Sequence, residues 1–519
     1  MKKRIIAFVS AVLALSMLVV GCGGSNNASS APAADGSSGS SAANKDTLVI
    51  AISGEPRSFD PYGSNDSISS TMKDQMFDTL FKQNENNEVV PSLVDTYEWI
   101  DDTTLNFTVK SGIKFHNGEE LTIGDVLYSF KRGIDSEYTT WIVENIDIDN
   151  TKILEDGKTL QLKLKAPKGD QLAALCFLYI VNEKTASAAD YNAETGPVGT
   201  GAFKFSKQVK GDRIEMTSNA DYWDGAPKFN NLTFRVITEA ASRTIEVESG
   251  GVDIIYNVLP TDIPILESSE GVVMHRAPNF SLNFVGFNCT RAPFDNPKVR
   301  QAITYAVDKE SIVEAVYGET GSVATGPISS VIWGYSDDVM QYTYDPEKAK
   351  ALLAEAGFPE GFKTTFTVSD SQQRIDTAEI MQNQLRQVGI EVETIVLENA
   401  TYLDKIVNND FDMFALGWTT NTGDADYGLY ETFHSGLPTW SNTTQYSNAE
   451  LDKHLEEGRA SVDPEVRKAA YAAAQKIIVE EAPEIFLWNG EEILAARDYV
   501  KGLVLSPSGR HNFGSVYFE

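Results

Sequence analysis

Hydrophobic and polar positions after residue 280 switch repeatedly between the period of a helix and the period of a strand. The first helical stretch has apolar side chains at i, i+3, i+4, i+7 and i+8, the spacing of a helix with one buried face: Val299, Ala302, Ile303, Ala306 and Val307. This helix is predicted to begin with the cap and proline of Asn296-Pro297, and further helices begin at Asp345-Pro346 and Asp463-Pro464 and run over 346–357 and 464–481. A helix is also predicted at 375–388, and strands at 364–368, 390–397 and 412–416. This alternation predicts an α/β fold whose sheet is mainly parallel and covered by helices. Ligands of such sheets bind beyond the carboxyl ends of the strands, so we expect a site in the loop after Leu416.

The first half of the chain has a different pattern, in which apolar and polar residues alternate with a period of two. Strands with this alternation are predicted at 104–110 and 160–164, and the apolar run at 48–52 predicts a further strand. Thr122 precedes a helical stretch and belongs to the residue types that cap helix N-termini, so we expect a helix to begin after it. The length of 519 residues exceeds the size at which one hydrophobic core keeps growing, and at least two lobes are therefore expected.

The N-terminus combines a basic start with a short apolar run. Three basic residues precede the apolar residues 5–20, which is the order found in signal peptides. A permanent transmembrane anchor is the alternative, but the run is short for a bilayer and no charged residue follows it directly. The stretch that ends in Cys22 resembles the cleavage box of bacterial lipoproteins, which implies that residues 1–21 are removed and that Cys22 carries a lipid.

The segment behind Cys22 predicts a flexible linker. Residues 23–45 are mostly Gly, Ser, Ala and Asn, so they bury too little apolar surface to offset the entropy of ordering them. A lipid on Cys22 followed by this linker would keep a globular body close to a membrane. We therefore expect the body to lie outside the cytoplasmic membrane.

The charge and the cysteines limit the partners of the chain. Its 43 basic and 74 acidic residues give a net charge of −31, which excludes a nucleic-acid partner because such binding requires Lys and Arg to neutralise phosphates. Cys176 and Cys289 lie in apolar contexts. Buried free thiols or a disulfide are both compatible with their spacing.

Motifs of common enzymes are absent from the sequence. No two of the five histidines have metal-ligand spacing, and no P-loop, HExxH or GxSxG motif is found, so we expect no metal and no cofactor. Asp424 and Asp426 offer two carboxylates, fewer than the six to eight oxygens that Ca²⁺ prefers. A secreted hydrolase with a carboxylate pair stays open as an alternative, because the chain has many acidic residues.

Several stretches together resemble the peptide-type solute-binding proteins of ABC importers. The stretches are SFDPYGSND, TTLNFTVKSGIKFHNGEELTIGDVLYSFKR, GPVGTGAFKF, NADYWDGAPKFNNLTF, APFDNPKVRQAITYAVDKESIV, YDPEKAKALLAEAGFPEGF, LGWTTNTGDADYGLY and GRHNF. The resemblance implies a hinged, two-lobed α/β fold of the class II periplasmic-binding-protein type with an extra α+β subdomain. The implied division is lobe I at 46–60, 185–275 and 485–519, the extra subdomain at 61–184, and lobe II at 276–484.

The resemblance also implies ligand-facing positions in lobe II. Gly417, Trp418 and Thr419 match the end of a strand that faces the ligand in the family, and a core role for Trp418 is the alternative. Dipeptide- and oligopeptide-binding members have an aspartate three residues after this tryptophan, which pairs with the α-ammonium of the ligand. The corresponding residue here is Asn421, and a neutral amide does not form the same charge-assisted bond.

The departure at Asn421 changes the expected ligand. Asp424 or Asp426 is a candidate replacement for the missing aspartate. The pattern after Trp418 is closer to glutathione-type members of the family. This favours a peptide-like ligand whose amine end is modified or γ-linked.

Three further positions of lobe II correspond to cleft-lining residues of the family. Arg374 is the nearest candidate for the arginine that binds the ligand carboxylate, and a solvated arginine at a helix start is the alternative. Asn399 and Tyr402 lie in a segment that lines the cleft in relatives.

In lobe I, the turn with Glu55, Arg57 and Ser58 corresponds to a ligand-facing loop, and its backbone N–H groups and Arg57 or Ser58 are candidate contacts for an anion. A purely structural turn is the alternative. The resemblance thus implies a monomeric, lipid-anchored receptor that captures a peptide between its lobes and delivers it to permease subunits, with ATPase subunits behind them. Another small organic solute or a nickel chelate is the alternative ligand.

Overall fold

The structure, a computed structural model, describes residues 45–519, and the strands predicted at 48–52, 104–110 and 160–164 are present in it. The predicted signal peptide, Cys22 and the predicted linker up to residue 44 lie outside the described residues. In chain order the strands are β1 (Thr47–Ile52), β2 (Phe81–Gln83), β3 (Val89–Pro91), β4 (Val94–Asp101), β5 (Thr104–Val109), β6 (Lys152–Ile153), β7 (Thr159–Lys163), β8 (Phe203–Val209), β9 (Arg213–Ser218), β10 (Asn231–Val236), β11 (Ile254–Ile255), β12 (Val272–Phe287), β13 (Gly321–Val323), β14 (Lys363–Ser369), β15 (Glu391–Leu397), β16 (Met413–Thr419), β17 (Glu484–Arg497), β18 (Val500–Lys501) and β19 (Tyr517–Phe518).

Several helices begin at residues that cap their first turn. Asn296, Asp345 and Asp463 each precede a proline and accept a hydrogen bond from a backbone N–H of the first turn, which confirms three predicted helix starts. In chain order the helices are α1 (Ser67–Met76), α2 (Ile123–Ile134), α3 (Thr140–Val143), α4 (Gln171–Leu175), α5 (Glu183–Ala186), α6 (Ala240–Glu248), α7 (Ile263–Ser268), α8 (Pro297–Ala306), α9 (Lys309–Ile312), α10 (Pro346–Glu355), α11 (Gln372–Arg386), α12 (Asn399–Val407), α13 (Glu431–Phe433), α14 (Ala449–Ala460) and α15 (Pro464–Glu481). Short turns of other pitch lie at Pro260–Asp262, Val313–Tyr317 and Asp426–Tyr430.

The main sheet is mixed, and the prediction of a mainly parallel sheet is wrong. It has 11 strands in the order β15-β14-β16-β12-β17-β11-β1-β10-β9-β8, with β13 paired to β17. Parallel pairing is confined to β14 with β15 and β16, and to β1 with β10 and β11. The two long strands β12 and β17 pair antiparallel with each other and with other strands, and this reverses the direction at the centre of the sheet.

Two lobes of an α/β fold are separated by their apolar cores. One core combines lobe I with the extra subdomain and includes Leu48, Phe107 and Phe234. Two other cores cover the two faces of the sheet in lobe II, one around Phe366 and one around Phe414. Strand β17 runs from the first core into the other two. The lobe I end of β12 packs on a smaller core around Val247 and Leu266, and its other end enters the two cores of lobe II, so both strands connect the lobes.

The extra subdomain has its own four-stranded antiparallel sheet, in the order β4-β5-β7-β6. Helix α2 packs beside it and begins with a capping box, in which Thr122 accepts from the backbone N–H of Asp125 and the Asp125 carboxylate accepts from the backbone N–H of Thr122. The Asp125 carboxylate also accepts from the backbone N–H of Glu183 at 2.7 Å and so joins α2 to α5. The predicted cap at Thr122 is confirmed.

Cys176 and Cys289 are both free thiols. Burial raises the pKa of each thiol to about 12, and both side chains are therefore protonated at neutral pH. Within residues 45–519, none of the helices has the length and apolar character needed to cross a bilayer.

Replacement of Thr122 by alanine is expected to lower the free energy of unfolding by about 1 kcal/mol, because the side-chain half of the capping box is lost. Chemical denaturation measures this change. Thr122→Ser keeps the hydroxyl and should stay close to the wild type. Equal losses in both variants would contradict the assignment of the effect to the cap.

Candidate ligand-binding site

The candidate site lies at the edge of lobe II where three parallel strands end. Strands β15, β14 and β16 are neighbours in that order, so their carboxyl ends meet at one edge of the sheet. Arg374 follows β14, Asn399 and Tyr402 follow β15, and Trp418 lies at the end of β16. The topology therefore brings these predicted residues to one edge, where ligands of open α/β sheets bind.

The end of β16 presents backbone and aromatic surface. Gly417 and Thr419 are exposed, and Trp418 is half-buried between them. The Trp418 ring stacks on Tyr427 with ring centroids 5.7 Å apart and 29° between the planes. A Cβ at Gly417 would lie 3.1 Å from Asn283 Oδ1 on β12, a contact tighter than most side chains make. Glycine at position 417 therefore allows β16 and β12 to pack closely next to the Trp418 and Tyr427 rings.

Asn421 lies in the loop after β16 and is exposed. Its Nδ2 donates to the Tyr427 hydroxyl at 3.3 Å. The next carbonyl along the chain, Thr422 O, accepts from Gln83 Nε2 of the extra subdomain at 2.7 Å. The loop is therefore held from two sides while the Asn421 side chain stays accessible to solvent.

Asp424 and Asp426 are buried in ion pairs within the protein. Arg467 Nη2 lies 2.6 Å from Asp424 Oδ1, and Arg459 Nη2 lies 2.6 Å from Asp426 Oδ2. Burial works to raise the pKa of Asp426, but the charge and hydrogen bonds of Arg459 outweigh it and hold the pKa below its usual value. Both carboxylates have protein partners, so we do not include them among the ligand contacts proposed below.

Arg374 is partly buried at the first turn of α11 and has no acidic partner. Its Nη1 donates to Ser369 Oγ at 3.0 Å, and the guanidinium lies 5.4 Å from the centre of the Tyr402 ring. Within residues 45–519 it forms no ion pair, in contrast to Arg459 and Arg467. A partly buried cation without a counter-charge is suited to bind an anionic group.

Tyr402 and Asn399 have different roles in the structure. Tyr402 is fully buried and its hydroxyl donates to the carbonyl oxygen of Ala415, so this side chain supports Arg374 from below. Burial raises the pKa of Tyr402 above its usual range. Asn399 is exposed at the start of α12, where its side chain is accessible to a ligand.

The lobe I turn is mostly engaged by protein contacts. Glu55 Oε1 accepts from the backbone N–H of Gly211 at 2.7 Å, and the buried Ser58 hydroxyl donates to Glu194. Arg57 is exposed and forms no ion pair within residues 45–519. Among the three predicted residues of this turn, Arg57 has the side chain available to an anion.

Two aromatic contacts near the candidate site were not predicted from the sequence. Trp488 of β17 stacks on Tyr317, with ring centroids 4.6 Å apart and 14° between the planes. Burial raises the pKa of Tyr317 above its usual value, and a hydrogen bond with Thr377 and the charge of Arg374 offset part of this rise. The Tyr317–Trp488 pair therefore lies near Arg374. Such pairs have no spacing signal, because their members come from distant parts of the chain.

The second missed contact joins the extra subdomain to the candidate site. Trp141 of α3 packs against Tyr427 with 6.2 Å between ring centroids, and Tyr427 stacks on Trp418. Trp141 also packs against Phe177 at 5.7 Å. Aromatic rings thus extend from the extra subdomain to the end of β16.

A cavity of about 730 Å³ lies between the extra subdomain and lobe I. None of the predicted site residues lines it, although Gln83 and Phe177 connect it to the loop after β16. Most of its charged residues have protein partners: Arg510 Nε donates to Asp74 and Lys82 Nζ donates to Asp224, each at 3.0 Å. The exposed Glu85 is the exception among the described residues. The carboxyl edge of lobe II remains the candidate site, because Arg374 is a partly buried cation without an acidic partner within residues 45–519.

The paired arginines allow a test of which charges support the fold. Arg467→Ala is expected to lower the free energy of unfolding by about 3–5 kcal/mol, because it leaves the buried Asp424 carboxylate without its cation. Lys468→Ala removes the neighbouring, half-exposed cation and should change stability by less than about 1 kcal/mol. Denaturant titration of both variants measures the difference. Similar, small losses in both would contradict a structural role for the Asp424–Arg467 pair.

Comparison with known proteins gives the family. The model of "Bacterial extracellular solute-binding proteins, family 5 Middle" matches residues 88–439. The dipeptide-binding protein of Escherichia coli is 29% identical over 91% of this chain and 95% of that protein. Heme-binding protein A of Haemophilus influenzae is 29% identical over 97% of both chains, and the glutathione-binding protein of Pectobacterium atrosepticum is 29% identical over 90% of this chain and 93% of that protein.

The fold is also found in a solved structure. HbpA2 from Haemophilus parasuis superposes with a TM-score of 0.86 at 26% identity, covering 91% of this chain and 100% of that one. Members of the family are substrate-binding proteins of transporters, which removes the hydrolase alternative. The matched segment and the two-lobed fold thus agree: the chain belongs to the family 5 bacterial extracellular solute-binding proteins, peptide-type receptors of ABC importers, and is not an enzyme.

Proposed function

We propose that this receptor captures a small peptide or a peptide-like molecule such as glutathione in the cleft between its lobes and delivers it to an ABC permease. The observation that carries the proposal is the guanidinium of Arg374, which lies at the carboxyl edge of lobe II without an acidic partner among the described residues. A ligand with a carboxylate end supplies the missing charge. Bonds between arginine and carboxylate are among the stronger hydrogen bonds in proteins.

The remaining surroundings of Arg374 suit a short peptide. Trp418 supplies a flat apolar wall beside the exposed backbone of Gly417 and Thr419, which offers hydrogen-bonding groups to a peptide main chain. Asn421 offers a neutral amide toward the amine end of the ligand. Because an amide forms a weaker bond to an ammonium than a carboxylate does, this arrangement favours a ligand whose amine end is modified or γ-linked.

Relatives support a peptide ligand and also name a competitor. The Escherichia coli relative is named for dipeptides and the Pectobacterium relative for glutathione, whereas the Haemophilus relative is named for heme. An anionic end is shared by peptides, glutathione and the propionates of heme, so Arg374 alone does not separate them. The peptide class is preferred because the exposed strand end at Gly417 is suited to main-chain pairing.

Closure of the lobes follows from the way in which they are joined. The apolar cores of the two lobes are separate, and strands β12 and β17 connect them. We propose that these strands form the hinge, that Arg57 on lobe I approaches the ligand on closure, and that Asn399 lines the rim. The boundaries of the moving parts are those of lobe I, the extra subdomain and lobe II given above.

The N-terminus supports a membrane-tethered receptor. Removal of residues 1–21 and lipid attachment at Cys22 would hold the body near its permease through the linker. We propose that the receptor acts as a monomer. One receptor then presents one ligand to the permease.

A thermal-shift screen tests the ligand class. We expect at least one member of a set of di- to pentapeptides and glutathione to stabilise the purified protein, by about 2.7 kcal/mol at a ligand concentration of 100 times Kd. Heme and a nickel–histidine chelate belong in the same screen as competitors. Stabilisation by a competitor, with no peptide active, would show that the ligand class is wrong while leaving the receptor role intact.

A second prediction concerns Arg374 itself. Arg374→Ala should weaken binding of the most stabilising peptide about 10- to 100-fold, because a charge-assisted bond to its carboxylate is lost. The C-amidated form of that peptide should bind wild type and variant about equally. Arg386→Ala, at the exposed end of the same helix, is the matched control and should bind like the wild type. Calorimetry measures the affinity of the wild type, Arg374→Ala and Arg386→Ala for both forms of the peptide. An unchanged affinity of Arg374→Ala for the free acid would disprove the assigned role.

A further inference from the structure

One loop of the extra subdomain contacts lobe II directly. The backbone N–H of Gly169 donates to the carbonyl oxygen of Arg459 at 2.8 Å. A Cβ at Gly169 would lie 2.1 Å from Ser461 O and 2.5 Å from Arg467 Nε, so the loop backbone fits against the end of α14 and the start of α15 without room for a side chain. This contact is separate from the hinge strands.

The next residue of the loop, Asp170, brings a carboxylate into a cluster of charges. Its side chain is 2% exposed, and within the described part of the chain its Oδ1 has no hydrogen-bond partner. Lys168 on the same loop has its Nζ 3.8 Å away, too far for a hydrogen bond. The groups that face Asp170 from lobe II are Asp424, Asp426 and Arg467.

The lobe II cations in this cluster already have partners. Arg467 pairs with Asp424, and Arg459 pairs with Asp426 and also contacts Glu431 at 2.7 Å. The counter-charge of Asp170 is therefore Lys168 at 3.8 Å, without a hydrogen bond to Oδ1, and Asp170 also faces two other carboxylates. Burial raises the pKa of Asp170 to about 7, with Lys168 opposing this and Asp426 adding to it. Burial of the charged Asp170 carboxylate therefore costs more free energy at this position than burial of its neutral form.

We propose that residues 168–171 form a proton-sensitive latch that fastens the extra subdomain to lobe II when Asp170 is neutral and loosens when Asp170 is charged. Asp170 of the latch faces Asp424 and Asp426, which belong to residues 420–430. The same loop carries Asn421 and Tyr427. Docking of residues 168–171 therefore steadies the ligand-facing loop. The latch does not depend on the identity of the ligand.

The direction of the pH dependence follows from linkage. In the undocked loop Asp170 faces water and has the ordinary aspartate value near 3.8, whereas in the docked loop its pKa is about 7. Between these two values the docked form binds one more proton than the undocked form. Docking is thus weakened as pH rises, by at most about tenfold per pH unit, and the loss levels off above about pH 7.

Hydrogen exchange of the ligand-free protein tests the latch, because the Gly169 amide is protected by its bond to Arg459. After correction for intrinsic exchange rates, protection of residues 168–171 and 420–430 should fall at least fivefold between pH 5.5 and 7.5. In Asp170→Asn, which is neutral at both values, protection should stay constant. Asp149→Asn, an exposed aspartate of the same subdomain, should behave like the wild type.

The same pH dependence in Asp170→Asn as in the wild type, or constant protection in the wild type, would overturn the proposal. A second variant tests the contact itself. Gly169→Ala should remove the protection of residues 168–171 at every pH, because the added Cβ meets Ser461. Gly124→Ala, where a Cβ makes ordinary contacts, should keep the protection. Retained protection in Gly169→Ala would contradict the docking geometry, and Asp170→Asn decides the case if Gly169→Ala does not fold.

Discussion

The antiparallel pairing of β12 with β17 is the constraint on which the rest of the structure depends. The chain enters lobe II through β12 and leaves it through β17, so these two paired strands carry both covalent connections between the lobes. Their pairing is interrupted by register shifts after Pro278 and after Asn283. Each lobe buries its own apolar residues, and we propose that the ribbon of β12 and β17 bends when the lobes close. Ligand capture between the lobes is the use that we propose for this arrangement.

Charged residues near the site differ in function because they differ in partners. Asp424 and Asp426 have the residue type expected for binding an amine, but arginines of α14 and α15 already neutralise them. Arg374 has the residue type expected for an anion and lacks a counter-charge within residues 45–519. The distinction depends on helices that are distant in sequence. The contact between the extra subdomain and lobe II also depends on partners, because Asp170 has only the distant Lys168 as a counter-charge and faces the paired aspartates.

The sequence predicted those parts of the fold that depend on local interactions. Helix starts with an Asp or Asn before proline and the capped start at Thr122 follow from bonds within one turn, and they were predicted correctly. The antiparallel direction of the central strands was not predicted, because β12 and β17 pair across about 200 residues and contain polar positions, and in β12 also Pro278, that hide their period. Tyr402 shows the same limit within the site: its sequence position is near the cleft, but its ring faces the core below Arg374.

The most direct measurement is a crystal structure of the protein with a bound peptide that stabilises it. We expect the carboxylate of the peptide to lie within hydrogen-bonding distance of the Arg374 guanidinium and the peptide main chain to run along Gly417 and Thr419. It also predicts that lobe I closes over the peptide by bending of β12 and β17. A peptide bound instead in the 730 Å³ cavity between the extra subdomain and lobe I, with Arg374 still facing solvent, would contradict it.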